Sequence, residues 1–155
     1  MREQVVVIIL LLAASGLCEK QCPPSWTQLE HSCYVLLEEL LTWIEAREFC
    51  LAVGGHLAEI ENVNENRFLT AILVAHSVNG SWIGLEDLTQ EDRFVWTTSQ
   101  REAVYTNWAR DEPSDSQRAQ NCVWLTNKPE WQPPGGWDDG QCGAHFLAMC
   151  EQPLH

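Results

Sequence analysis

Basic residues are scarce in this chain: nine Lys and Arg stand against 22 Asp and Glu, a formal net charge of −13 over 155 residues. Nucleic-acid binding requires a basic face to neutralise phosphates, so that class is set aside. No Cys-x-x-Cys pair occurs, and His31, His56, His76, His145 and His155 lie scattered, which argues against a structural zinc motif. The longest apolar run, Val5 to Ala14, falls short of the roughly 20 residues that a bilayer-spanning helix needs, and no later stretch approaches that length. Internal repeats, low-complexity tracts and obvious linkers are also missing. Neither a Ser-His-Asp nor a Cys-His pattern stands out for nucleophilic catalysis.

What is present points outward from the cell. A lone basic residue, a short apolar core and Ala14-Ser15-Gly16 form the pattern of a cleavable secretory signal, here assigned to residues 1–18, leaving one unit over residues 19–155. The mature protein is expected to be soluble and secreted. Beyond Cys18 stand Cys22, Cys33, Cys50, Cys122, Cys142 and Cys150, an even set that reads as three disulfides in an exported chain. Counting alone leaves their pairing open. Cleavage after Gly16 would retain Cys18 as a candidate interchain bridge. Eight tryptophans suggest an aromatic core.

Two segments read as helices. Thr42-Trp43-Ile44-Glu45 has the form of a capping box, followed by Trp43, Ala46, Cys50 and Val53 at helical spacing and Gly54-Gly55 as the stop. A second helix starts at Asn62, with Phe68, Ala71, Ile72 and Ala75 as its expected buried stripe. Short β-prone stretches follow: Trp82-Ile83-Gly84-Leu85, Phe94-Val95-Trp96, Cys122-Val123-Trp124-Leu125 and Phe146-Leu147-Ala148-Met149. Between residues 107 and 139 lies a long polar region rich in Pro, Gly, Asp and Gln. Loops of that length in a compact domain are usually functional or disordered, and Trp108, Trp124, Trp131 and Trp137 favour order here. The expected class is α+β, with helices first, sheet later, and the unusual chemistry in one long loop.

In this order and spacing, the motifs resemble the C-type lectin-like domain across nearly all of the mature chain. The resemblance rests on Cys22-Pro23-Pro24-Ser25-Trp26, Cys33-Tyr34, Gly55-His56-Leu57-Ala58 and Trp82-Ile83-Gly84-Leu85. It continues through Asn107-Trp108, Glu112-Pro113-Ser114, Asn121-Cys122, Gly136-Trp137-Asp138-Asp139 and Cys150-Glu151. It implies two helices plus antiparallel sheets, a long calcium-binding loop, and the pairings Cys22–Cys33, Cys50–Cys150 and Cys122–Cys142.

By the same resemblance, Ca2+ would be held by Glu112 and Ser114 around Pro113, by Gln120, and by Asp138 and Asp139 after Trp137. Each supplies an oxygen, as calcium requires. Ser114 replaces the usual Asn or Asp, Gln120 the usual Glu, and Asp138 the usual Asn. The charge lost at Gln120 is regained at Asp138, so three negative charges remain in Glu112, Asp138 and Asp139. The Glu112-Pro113 bond is expected to be cis, as in the family.

In the family the ion binds two neighbouring sugar hydroxyls, so the implied partners are glycans. Glu112-Pro113-Ser114 matches neither the Glu-Pro-Asn pattern of mannose-type members nor the Gln-Pro-Asp pattern of galactose-type members, and it leaves the choice open because a Ser hydroxyl both donates and accepts. Trp131, seven residues before Asp138, is assigned to stack on the apolar face of galactose. The expected ligand is therefore galactose or N-acetylgalactosamine, contacted by Glu112, Ser114, Trp131, Asp138 and Asp139, with mannose or fucose as the runner-up. Protein, ice or mineral surfaces are the non-sugar alternative. Glycosidase chemistry ranks last, because acids gathered around an ion stay ionised. Asn79-Gly80-Ser81 is a sequon for N-glycosylation at Asn79. A one-domain secreted lectin is expected to form homo-oligomers that gain from multivalency, and the resemblance implies a role in innate defence or agglutination.

Overall fold

A computed structural model describes residues 21–114, 119–128, 130 and 133–154. The chain begins with a hairpin of β1 (Thr27–Leu29) and β2 (Ser32–Leu41), turned at Glu30, whose φ of 50° lies in the left-handed region. Sheet therefore precedes the helices, contrary to the expected order. Helix α1 (Trp43–Ala52) opens with the capping box as read: Thr42 Oγ1 accepts from Glu45 N–H, and Glu45 Oε2 accepts from Thr42 N–H at 2.9 Å. Its buried face is Trp43, Ala46 and Cys50. Val53, expected in that stripe, is instead the exposed C-cap, because Gly54 at φ 85° turns the chain away there.

After the short β3 (His56–Leu57), α2 (Val63–Ala75) starts at Asn62, whose side chain accepts from the N–H groups of Asn64 and Glu65. Its seam is Glu65, Leu69 and Leu73, with Asn66 beside it. Phe68 and Ile72 flank the seam half-buried, and Ala71 and Ala75 face outward. The helix is thus turned by about one residue (~100°) from the expected stripe. Burying two leucines removes more apolar area from water than burying two alanines, so the leucine seam wins.

Strands β4 (Gly80–Glu86), β5 (Val95–Trp96), β6 (Cys122–Thr126), β7 (Trp137–Gly140) and β8 (Phe146–Pro153) complete an eight-stranded sheet. The main order is β1-β2-β8-β4-β6-β7, with β3 on β8 and β5 on β4. The pairs are antiparallel except β4 with β8, which run parallel, so the sheet is mixed.

Side chains alternate across the central strands. Ile83, Leu85, Val123, Leu125 and Met149 meet α2 in one cluster. Trp82, Trp124, Ala148 and the Cys50–Cys150 bridge meet α1 in another. Cys22–Cys33 and Cys122–Cys142 are the other disulfides, so all three pairings are as the resemblance implied. Trp82, Trp96 and Trp137 are core residues. Burial on both faces holds β6 still, and β6 in turn carries the edge strand β7.

Candidate metal centre

The site is built at the sheet's edge. Opposite its pairing with β6, β7 meets the segment around Trp108 in an isolated parallel bridge. Trp137 N–H donates to Asn107 O, and Ala109 N–H donates to Trp137 O, both at 2.8 Å. The chain then turns back: Glu112 N–H reaches Ala109 O at 3.1 Å, and Asp111 takes a φ of 66°. That turn delivers Glu112 beside Asp138 and Asp139, and the Glu112-Pro113 bond is cis as expected.

One ligand oxygen each from Glu112, Asp138 and Asp139 lies within 4.8 Å of the others. Both aspartates are buried and Glu112 is half-buried. Glu112 Oε2 is buried and accepts no hydrogen bond among the described residues. Burial, a hydrogen bond to Asp139 and the charge of Asp138 push the Glu112 carboxyl up to about 7. Burial and the charge of Asp139 push Asp138 up to about 6, against the pull of a Trp124 hydrogen bond and the Lys128 charge. Three crowded acids with an unserved oxygen match the donor set of a hard cation, which takes several anionic oxygens at one point.

The two neutral residues of the expected set stand in the same place. Ser114 N–H donates to Asp139 Oδ1 at 2.8 Å, Ser114 Oγ donates to Gln120 Oε1 at 3.3 Å, and Gln120 Nε2 donates to Asp139 O at 2.8 Å. All five residues are therefore brought together, with Ser114 and Gln120 also pinning Asp139. Trp131 lies outside the described residues, as do residues 1–18.

A post behind the loop fixes its height. Trp137 Nε1 donates to Asn66 Oδ1 at 2.7 Å, and Asn66 Nδ2 donates to Gly135 O at 3.0 Å. Gly135 O also accepts from Asn107 Nδ2 at 2.7 Å. Gly135 has a φ of 68°, and a Cβ there would sit 2.1 Å from Thr70 Oγ1, so no other residue fits.

Two polar groups escaped the sequence reading. Asp87 follows β4, buried, with Oδ2 accepting from Asp92 N–H at 3.0 Å and Oδ1 without a partner among the described residues. Burial foremost, with a contribution from Asp139, raises its carboxyl above the ordinary range. In the sequence, the acid pair Glu86-Asp87 directly after the β-prone Trp82-Ile83-Gly84-Leu85 was the available signal. The other group is a pocket where Tyr34 donates to Glu65 at 2.6 Å, near Glu59 and Glu151. Glu65 lies three residues after the Asn62 cap, on a helix whose buried stripe was expected on another arc. Its burial follows from the α2 rotation.

A family model described as the lectin C-type domain matches residues 39–152. The human low affinity immunoglobulin epsilon Fc receptor is 31% identical over 157 residues, covering 99% of this chain and 47% of its own. A C-type lectin of Cerberus rynchops is 29% identical, covering 95% of this chain and 93% of its own. The chain thus spans less than half the length of the mouse and human Fc receptors, at 44% and 47%. The carbohydrate-recognition domain of cow CD23, solved in the presence of a GlcNAc2Man3 oligosaccharide, aligns with a TM-score of 0.75. It shares 32% identity and covers 88% of this chain and 98% of its own.

Proposed function

The chain belongs to the C-type lectin domain family, and from that premise we propose that it is an exported lectin that binds sugar through calcium. The supporting observation is the convergence of Glu112, Asp138 and Asp139 with one buried oxygen unserved. These three, with Ser114 Oγ and the Gln120 amide oxygen, would hold the ion. When bound, calcium supplies coordination positions for two neighbouring hydroxyls of one sugar. The residues' own work is to set three negative charges at one point, to present acceptors to the sugar hydroxyls, and to offer in Ser114 a group that donates or accepts. Asp139, held through Ser114 N–H and Gln120, needs little reordering on binding.

This is binding and not turnover. An acid catalyst must carry a proton, whereas a cation among these carboxylates would hold them ionised. Export rests on the leader-like residues 1–18 and fits a domain with three disulfides. Among the described residues no helix is long and apolar enough to cross a membrane.

The sugar is galactose or N-acetylgalactosamine, on the strength of Trp131 as an apolar stacking surface. A mannose-type ligand is the second reading. It is favoured by Glu112 in place of Gln and by the likeness to cow CD23, solved with GlcNAc2Man3. Retention on galactose-agarose and mannose-agarose, in calcium and then in EDTA, separates these readings. Calcium-dependent retention on galactose alone is the expected result. Retention on mannose alone keeps the ion site and removes the role of Trp131. Retention on neither resin overturns the sugar reading.

A further inference from the structure

Asn79-Gly80-Ser81 opens β4, and only one of its three side-chain choices is accounted for by packing. Gly80 must be glycine, because a Cβ there would lie 2.5 Å from the Trp124 ring. Asn79 serves the fold through its backbone: its carbonyl accepts from Asn127 N–H at 2.7 Å and from Thr126 Oγ1 at 3.4 Å. Its side chain is exposed and makes no hydrogen bond among the described residues. Ser81 is fully buried, and its hydroxyl has no partner among the described residues. A buried hydroxyl without a partner is a net cost to the fold, so its presence calls for a use elsewhere.

That use lies before folding. In Asn-x-Ser/Thr the hydroxyl is the recognition element for N-glycosylation. We propose that Asn79 carries an N-linked oligosaccharide, added to the extended chain before β4 packs, whose first sugars lie over the apolar groove beside it. The groove is shallow and open to solvent, with a volume of about 510 Å³. Asn79 is among its lining residues, Leu40, Val78, Trp124, Phe146 and Leu147 are its apolar members, and Lys128 adds a charge. Leu40 is 65% exposed, a large apolar side chain left facing solvent by the described residues. The sugar's CH-rich face would cover this surface. In the transfer, Asn79 Nδ2 bonds to C1 of the first sugar as the C1–O bond to a polyprenyl-diphosphate-linked donor breaks. The diphosphate leaves with the electron pair, and Nδ2 gives up one proton.

Because the proposal depends on export, the test places the full chain behind a strong heterologous leader in cultured animal cells. Export then does not rest on residues 1–18. Intact mass of the secreted protein is compared before and after treatment with peptide-N-glycosidase F. The expected result is loss of an oligosaccharide with conversion of Asn79 to Asp, and no loss in Asn79→Gln or Ser81→Ala. Ser81→Ala should be secreted folded, because its hydroxyl holds nothing. An unmodified Asn79 in the secreted wild-type protein overturns the proposal. For the groove, fluorescence of an apolar dye should rise when the sugar is removed under native conditions, and Leu40→Ser should blunt the rise. Unchanged dye fluorescence on removal overturns the placement of the sugar. Retention on the sugar resins is scored separately, so failure of the lectin reading stays distinct from failure here.

Discussion

The body of the domain and its long loop are built on different principles. In the body, α1 and α2 bury apolar seams on opposite faces of one sheet, and Cys50–Cys150 ties the first helix to the last strand. In the loop, the buried side chains include Asp138 and Asp139, and order comes from hydrogen bonds through Asn66, Asn107, Ser114 and Gln120. The body gains free energy by excluding water. The loop gathers like charges, a cost that protons relieve at low pH and that a bound cation would offset at neutral pH. Damage to the body should therefore unfold the protein, whereas damage to the loop should remove binding and leave the calcium-free fold intact.

The largest effect is expected in the body. Replacing Cys50 and Cys150 by Ser should cost about 2–5 kcal/mol and sharply reduce secreted protein. Denaturant unfolding of whatever is secreted measures the loss. Leu69→Ala, in the α2 seam, should cost about 2–5 kcal/mol in the same assay while leaving calcium retention intact below the unfolding midpoint. A neutral result at either position would break the division between the two regions.

In the loop the signs differ. Glu112→Ala should abolish calcium-dependent retention, yet its thermal midpoint in EDTA should equal or exceed that of the wild type. A fall in that midpoint would mean that Glu112 supports the fold directly. The pH dependence follows from the same acids. Glu112 and Asp138 have native values of about 7 and about 6, above their ordinary 4.5 and 3.8. The calcium-free native state holds their protons more tightly than the unfolded chain, so their contribution to stability declines as pH rises through this window. Calcium must displace those protons, so calcium affinity should rise over the same range. Melting curves in EDTA and in calcium should thus separate as pH goes from 4.5 to 7, and parallel curves would refute the assignment. Thr42→Ala is the small control: about 1 kcal/mol from the lost cap, with sugar binding unchanged.

The parts legible in the sequence were those set by local chemistry. Thr42 and Glu45 announce the α1 cap within four residues, whereas the proposed ligand set came from the family resemblance and its convergence is visible only in the fold. The parts that stayed hidden depend on tertiary choice. Strand β2 carries Leu-Leu-Glu-Glu-Leu-Leu, residues that favour helix, and its pairing with β8 shifts register between Leu37 and Leu41, which destroys clean alternation. The α2 stripe was misplaced because two apolar arcs competed and the sheet selected the leucines. That Ser114 and Gln120 brace Asp139 was likewise invisible, since the bracing runs through a backbone N–H and a carbonyl.

Trp137 stands immediately before the two aspartates, and its indole is bonded to Asn66 on α2. That anchor belongs to the body, so with the proposed ion gone it should remain. If the loop opens when calcium leaves, it opens from a fixed pivot, and Asp138 and Asp139 start their return from the place they left. Capture and release should then run as a cycle without hysteresis: repeated alternation of calcium and EDTA should recover full resin retention each time, with no refolding lag.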